Sequence, residues 1–148
     1  MSPISCGAGG TDGLTHQARY DPTITADGIV IVKMEDFEAV VDRVLDELPD
    51  WVTDQIDNLI VVVEDRPTRE QDPSGTELLG IYEGVNLHDR SADYWGAMPD
   101  QITIFRLPHL ALHLPRAELE SEIRKTVLHE LAHHLGIDDR RLHELEWD

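Results

Sequence analysis

The stretch from Thr126 to His143, TVLHELAHHLGIDDRRLH, gathers the side chains best suited to chemistry: His129, Glu130, His133, Gly136 and Asp139, spaced H-E-x-x-H-x-x-G-x-x-D. On a helix, residues four apart lie one turn apart on the same face, so His129 and His133 can aim their imidazoles at one point. At about 100° per residue, Glu130 lies roughly 60° further round than His133, beside that point rather than on it. Two imidazoles and a neighbouring carboxylate suit a metal ion whose bound water the carboxylate holds and deprotonates. The competing explanation is a polar helix end whose histidines have no task. The glycine and aspartate at these offsets, after a strongly helical run, argue against it.

A catalytic zinc ion ordinarily takes three protein ligands and leaves one position for water. Gly136 fits the position just past a helix, where a left-handed backbone costs glycine little. Ile137 then follows, placed to pack back near Leu131. The chain reverses, and Asp139 comes round as the carboxylate ligand. His143, four residues further along a short final helix, is the competing third ligand, or else the group that orients the Asp139 carboxylate. His134 points about 100° away from His133 and is expected in the interior or behind the ligands. Tyr94, His134 and His143 are the candidates for stabilising a developing oxyanion.

Beyond this stretch, the segments VVVEDRP, LLGIYEGVNL, MPDQITIFRLP and VLHELAHHLGIDDRRLHEL, with the final Trp147, resemble the small bacterial zincin-like metallopeptidases, minimal zincins with the same H-E-x-x-H-x-x-G-x-x-D pattern. The resemblance runs from about Glu35 to Trp147. It implies a zinc-dependent peptidase with one zinc ion per chain, His129, His133 and Asp139 as ligands and Glu130 as general base. Residues 140–148 are all that follow Asp139, so the methionine turn that underlies the metal of metzincins is not expected. Met98 comes earlier in the chain and does not take that role, and metzincin substrate rules do not transfer.

The elements that must hold these groups follow from hydrophobic periodicity. Residues 1–28, rich in Gly, Ser, Thr and Asp, are expected to form a flexible tail, and residues 29–148 one zincin-like domain. Ile29 to Val32 is a brief strand or a lead-in. Phe37, Val40, Val41, Val44, Leu45 and Leu48 recur three and four apart and predict a helix from about Glu35 to Leu48, ended by Pro49. Trp51, Val52 and Ile56 suggest a short helical turn after it. Leu59 to Val63, a β-branched run, predicts a central strand buried on both faces. Glu64 to Thr76 is a polar loop expected to be mobile.

Leu78 to Tyr82 and Gln101 to Arg106 predict two more strands, in a sheet packed mainly on one side. The long connection from Glu83 to Asp100 is expected to flank the metal cleft. Leu107 to Leu114 predicts a short helix whose His109 and His113 are packing or surface histidines. The main helix is expected from Arg116 to Leu135, with Leu119, Ile123, Val127 and Leu131 as its anchoring stripe. Asp138 then caps a short helix through Leu145. This order of elements is that of an α+β fold, a small mixed sheet of three or four strands beneath the active-site helix. The resemblance to zincins implies an edge strand beside the cleft where extended substrate adds as a strand; Gln101 to Arg106 and the loop before it are candidates, and the sequence leaves open which strand is the edge.

Length and charge bound the function. A chain of 148 residues suits one core. Its 12 basic against 30 acidic residues leave a net charge of −18, a surface that repels phosphate backbones and argues against nucleic acid. The expected partner is a peptide or protein substrate, neutral or basic rather than acidic. Cys6 is the only cysteine, so no intramolecular disulfide forms, and no apolar run reaches the length of a membrane span. Without a basic start and apolar core at the N-terminus, a cytoplasmic location is expected. Oligomeric state is not indicated. The alternative to a peptidase is a zinc-binding regulatory or interaction module without turnover, and a hydrolase for a non-peptide amide is a third reading. Glu130 favours an enzyme, because a non-catalytic zinc site tolerates Gln there and fills its fourth position with Cys or His.

Overall fold

A computed structural model describes residues 31–94 and 98–147, so the tail expected over 1–28, Cys6 included, lies outside the described residues. Helix α1 spans Met34–Asp46 and buries Phe37, Val40, Val41 and Val44, the stripe that the periodicity predicts. It stops two residues earlier than expected, because Pro49 steers the preceding Leu48 away from helical backbone. Pro49 then leads into a single turn, α2, at Asp50–Thr53, whose Val52 is fully buried.

Three strands follow: β1 at Leu59–Glu64, β2 at Gly80–Glu83 and β3 at Asp100–Phe105. They form one sheet in the order β1-β3-β2, with β1 parallel and β2 antiparallel to β3. Between β2 and β3 the chain makes two short 3-10 turns, Leu87–Asp89 and Ala92–Tyr94.

This order corrects two expectations. The apolar run of β1 is an edge strand, with Ile60 44% exposed, and not the central strand. Gln101 to Arg106, expected in a sheet packed mainly on one side, is the central strand: Ile102, Thr103, Ile104 and Phe105 are all buried, so the sheet is covered on both faces there. Composition alone misleads in both cases, because centrality is decided by pairing and not by how apolar a run is. Thr103 tolerates the interior because its hydroxyl accepts a hydrogen bond from Gln101 Nε2 at 3.0 Å. The edge beside the long helix is β2.

Helix α3, Arg106–Leu110, turns the chain back. Its His109 is completely buried. Nδ1 donates to the Phe105 carbonyl at 2.7 Å, and Nε2 lies 2.9 Å from the Thr126 hydroxyl. Burial pushes its pKa down, so the ring is a neutral packing group, and His113 is on the surface.

Helix α4, Arg116–Leu135, lies against β2, β3 and α1. Leu119, Ile123, Val127 and Leu131 are all at most 1% exposed, and each such side chain contributes roughly 1.5–3 kcal/mol by leaving water. In its second half Leu128, Glu130, Ala132, His134 and Leu135 are buried too, so that half is enclosed well beyond one stripe. The last helix, α5, spans Asp139–Glu144 and is capped by the Asp138 carboxylate, which accepts the Arg141 N–H at 2.8 Å. Among the described residues no helix is long and apolar enough to cross a membrane.

Candidate metal centre

Helix α4 sets the site by its periodicity and by the way it ends. His129 and His133 fall one turn apart, with ring centroids 4.8 Å apart. Ligand atoms of His129, Glu130 and His133 all lie within 4.8 Å of one another. Glu130 is the buried member, His129 is half-buried and His133 faces solvent. His133 Nδ1 lies 3.2 Å from Glu130 Oε2.

Beyond His133 the helix stops as expected. Gly136 is left-handed at φ 71°, its N–H bonds the His133 carbonyl at 3.1 Å, and the Ile137 N–H bonds the Ala132 carbonyl at 2.9 Å. This pair of bonds is the Schellman closure. A side chain on Gly136 would also collide with the imidazole of His88, which lies against it. Gly136→Ala is therefore expected to cost about 1–2 kcal/mol for the backbone alone, with the displacement of His88 added. Urea unfolding measures this, and unchanged stability would contradict it.

The reversal brings Asp139 to the first residue of α5, exposed and near enough for its charge to act on His133. It stands outside the close group of three. His143 is exposed on the same short helix, four residues on. His134 is fully buried with both ring nitrogens engaged, as its direction on the helix implies. Tyr94 lies over Arg90, 4.0 Å from guanidinium carbon to ring centroid, and its hydroxyl accepts from Asn58 Nδ2 at 2.9 Å. Met98 is 84% exposed.

A cleft of about 500 Å³ opens beside His129 and Glu130. One side is α4, through Glu122, Lys125 and Thr126; the other is the chain from Thr76 to Gly80, and Trp147 also borders it. Gly80 permits the close approach, since a Cβ there would sit 2.7 Å from Thr126 Cγ2 and 3.3 Å from Glu130 Cγ. Of the connection from Glu83 to Asp100, expected as a cleft wall, none of the described residues lines this cleft, and His88 rests on the end of α4.

The actual wall leaves the polar loop read as mobile, and that loop is tied. The Asp72 carboxylate accepts the Thr76 N–H, the Thr76 hydroxyl and the Glu77 N–H, each at 2.9 Å. Those bonds, the Thr76 amide foremost, hold its pKa below the usual carboxylate value against the opposing effect of burial. The D-P-S-G run at 72–75 carries the sequence signal, an aspartate folding over its own following turn.

Residues 56–148, the whole of the sheet and of the site helix, match the family model described as zincin-like metallopeptidase. The chain belongs to that family. No curated protein matches it. Among solved structures it is similar to a conserved hypothetical protein from Thermus thermophilus, at 24% identity and a TM-score of 0.48, over 70% of this chain and 94% of that one.

A zincin-like family implies a metal ion, and the residues present fit one. Two imidazole nitrogens and a buried carboxylate converge, and two of the three residues, His129 and Glu130, line the cleft; this is a donor set suited to zinc. The Glu130 hydrogen bond raises the His133 pKa above its ordinary 6.5, against desolvation, with the charges of Glu130 and Asp139 adding to it. A metal competes with that proton. Zinc affinity is therefore expected to fall as the pH drops through a value above 6.5, by on the order of tenfold per pH unit for one displaced proton. Chelator competition between pH 6 and 8 checks this, and a flat affinity would contradict it.

Proposed function

We propose that this zincin-like protein is a zinc-dependent peptidase, with His129, His133 and Asp139 holding the metal and Glu130 as general base. The observation that carries the reading is the convergence of His129, Glu130 and His133, with the buried carboxylate beside the two imidazoles and both His129 and Glu130 lining the cleft. A zinc ion held there supplies a polarising charge for the scissile carbonyl and a more acidic water.

The remaining steps belong to the chain's own residues. An extended peptide lies along the backbone of Leu78 to Gly80, which leads into the edge strand β2 and borders the cleft. In this reading the scissile bond lies beside Glu130, which lines the cleft. As the water oxygen adds to the carbonyl carbon, Glu130 takes one of its protons; as the C–N bond breaks, Glu130 passes that proton to the amine nitrogen. His134 is not available as an oxyanion donor in this reading, because Asp100 and the Asp57 N–H occupy its ring.

The test is metal content of the purified full-length chain, followed by incubation of the zinc-loaded protein with a mixed peptide library. About one zinc per chain and discrete cleavage products are expected, both lost in His129→Ala. Zinc without cleavage would favour a binding module without turnover. Absence of zinc binding would remove the site assignment itself.

A further inference from the structure

Behind the site helix lies a buried polar cluster that the mechanism does not use. Its centre is Asp100, 2% exposed, at the start of β3. Asp100 Oδ2 accepts from the Tyr82 hydroxyl, from Arg90 Nη2 at 2.9 Å and from His134 Nδ1 at 3.1 Å, while Oδ1 accepts the Val85 N–H at 3.2 Å. Arg90 is held in turn by the Asp57 carboxylate at 2.9 Å and by the Val85 and Asp57 carbonyls at 3.0 and 3.1 Å. His134 Nε2 accepts the Asp57 N–H at 3.3 Å, so its neutral ring carries the proton on Nδ1.

Tyr82 connects this cluster to the site. Its ring stands edge-on to two consecutive histidines of α4, with centroids 6.4 Å from His133 and 5.9 Å from His134. It belongs to β2, a strand of four residues paired, among the described residues, only with β3. Such a strand is weakly placed by its backbone alone, so its distance from α4 depends on side chains. A phenylalanine would fill the same space. The hydroxyl adds a tether to a carboxylate that is itself fixed by three other donors.

We infer that Tyr82 is a positioning residue for His133: anchored through Asp100 to Arg90 and His134, it fixes the orientation of the imidazole that holds the metal. Groups hydrogen-bonded to a metal-binding histidine alter affinity roughly 10–100-fold when removed, and Tyr82, which meets His133 ring to ring, is assigned the lower end of that range. This inference rests on His133 being a metal ligand, as proposed above.

The test uses the full-length protein and two readouts other than turnover: zinc affinity by chelator competition, and the visible spectrum of the Co(II)-loaded form. Wild type and His133→Ala come first. If wild type takes up no metal, or His133→Ala binds as tightly, the metal-site reading falls and this inference falls with it. With that reading standing, Tyr82→Phe is expected to bind zinc about tenfold more weakly and to shift the Co(II) bands, with Tyr82→Leu weaker still. Val44→Ala, a buried change on α1, serves as the control: it should lower the urea midpoint and leave affinity and spectrum unchanged. Wild-type affinity and spectrum in Tyr82→Phe would overturn the inference, as would an equal loss of affinity in Val44→Ala.

Discussion

Glu130→Gln is expected still to bind one zinc per chain and to cleave peptides roughly 10²- to 10⁴-fold more slowly, the usual contribution of a positioned general base. The amide keeps the volume of the carboxylate and has no basic oxygen to accept the water's proton. Glu130 is 8% exposed, and Gly80 lets β2 close over its side chain, so the substitution changes proton affinity without opening the cleft. His133 loses a charged hydrogen-bond partner at 3.2 Å, and its pKa is expected to return toward the ordinary value. The pH at which zinc affinity begins to fall should drop with it. Initial rates on a peptide found to be cut, measured for both proteins at equal zinc occupancy, decide the matter. Equal rates would remove Glu130 from the chemistry.

Asp100→Asn is expected to cost about 3 kcal/mol of stability, the lower end of the range for removing one partner of a buried ion pair. The lower end applies because Arg90 keeps the Asp57 carboxylate. The neutral amide still leaves three donors, from Tyr82, Arg90 and His134, around an atom that accepted all of them. Burial alone would raise the Asp100 pKa, but these hydrogen bonds and the Val85 N–H outweigh it and hold the group below its ordinary value. A carboxylate whose folded pKa is depressed contributes stability above its unfolded value of about 3.9 and loses it as pH falls through the folded value. Wild type should therefore weaken in acid below about pH 4 more steeply than Asp100→Asn. Urea unfolding at pH 7 and pH 3 measures both effects. A loss at pH 7 no larger than that of an exposed substitution would contradict the buried-pair account.

The most legible parts of the molecule were those written in local spacing. The stripe on α4, its closure at Gly136 and the cap at Asp138 each need only a few consecutive residues, and all three stand in the structure. The His129, Glu130 and His133 convergence is legible for the same reason, because one helix carries all three. Asp139 depends on a chain reversal, and after the turn at Gly136 it stands outside the close group of His129, Glu130 and His133.

What spacing did not disclose was pairing across the chain. β1, expected at the centre, lies at an edge and β3 takes the centre, because an apolar run looks alike in both places. The Tyr82, Arg90, Asp100 and His134 cluster draws on two strands, a loop and a helix, so no window of sequence contains it. Tyr94, proposed for the oxyanion, is drawn into contact with Arg90 of the same cluster.

Anomalous diffraction at the zinc absorption edge, from crystals of the full-length protein grown with zinc, tests the central claim most directly. A single strong peak bonded to nitrogens of His129 and His133, with the Asp139 carboxylate completing the protein ligands, is the predicted result. A peak elsewhere on this acidic surface, with none between the two imidazoles, would contradict it.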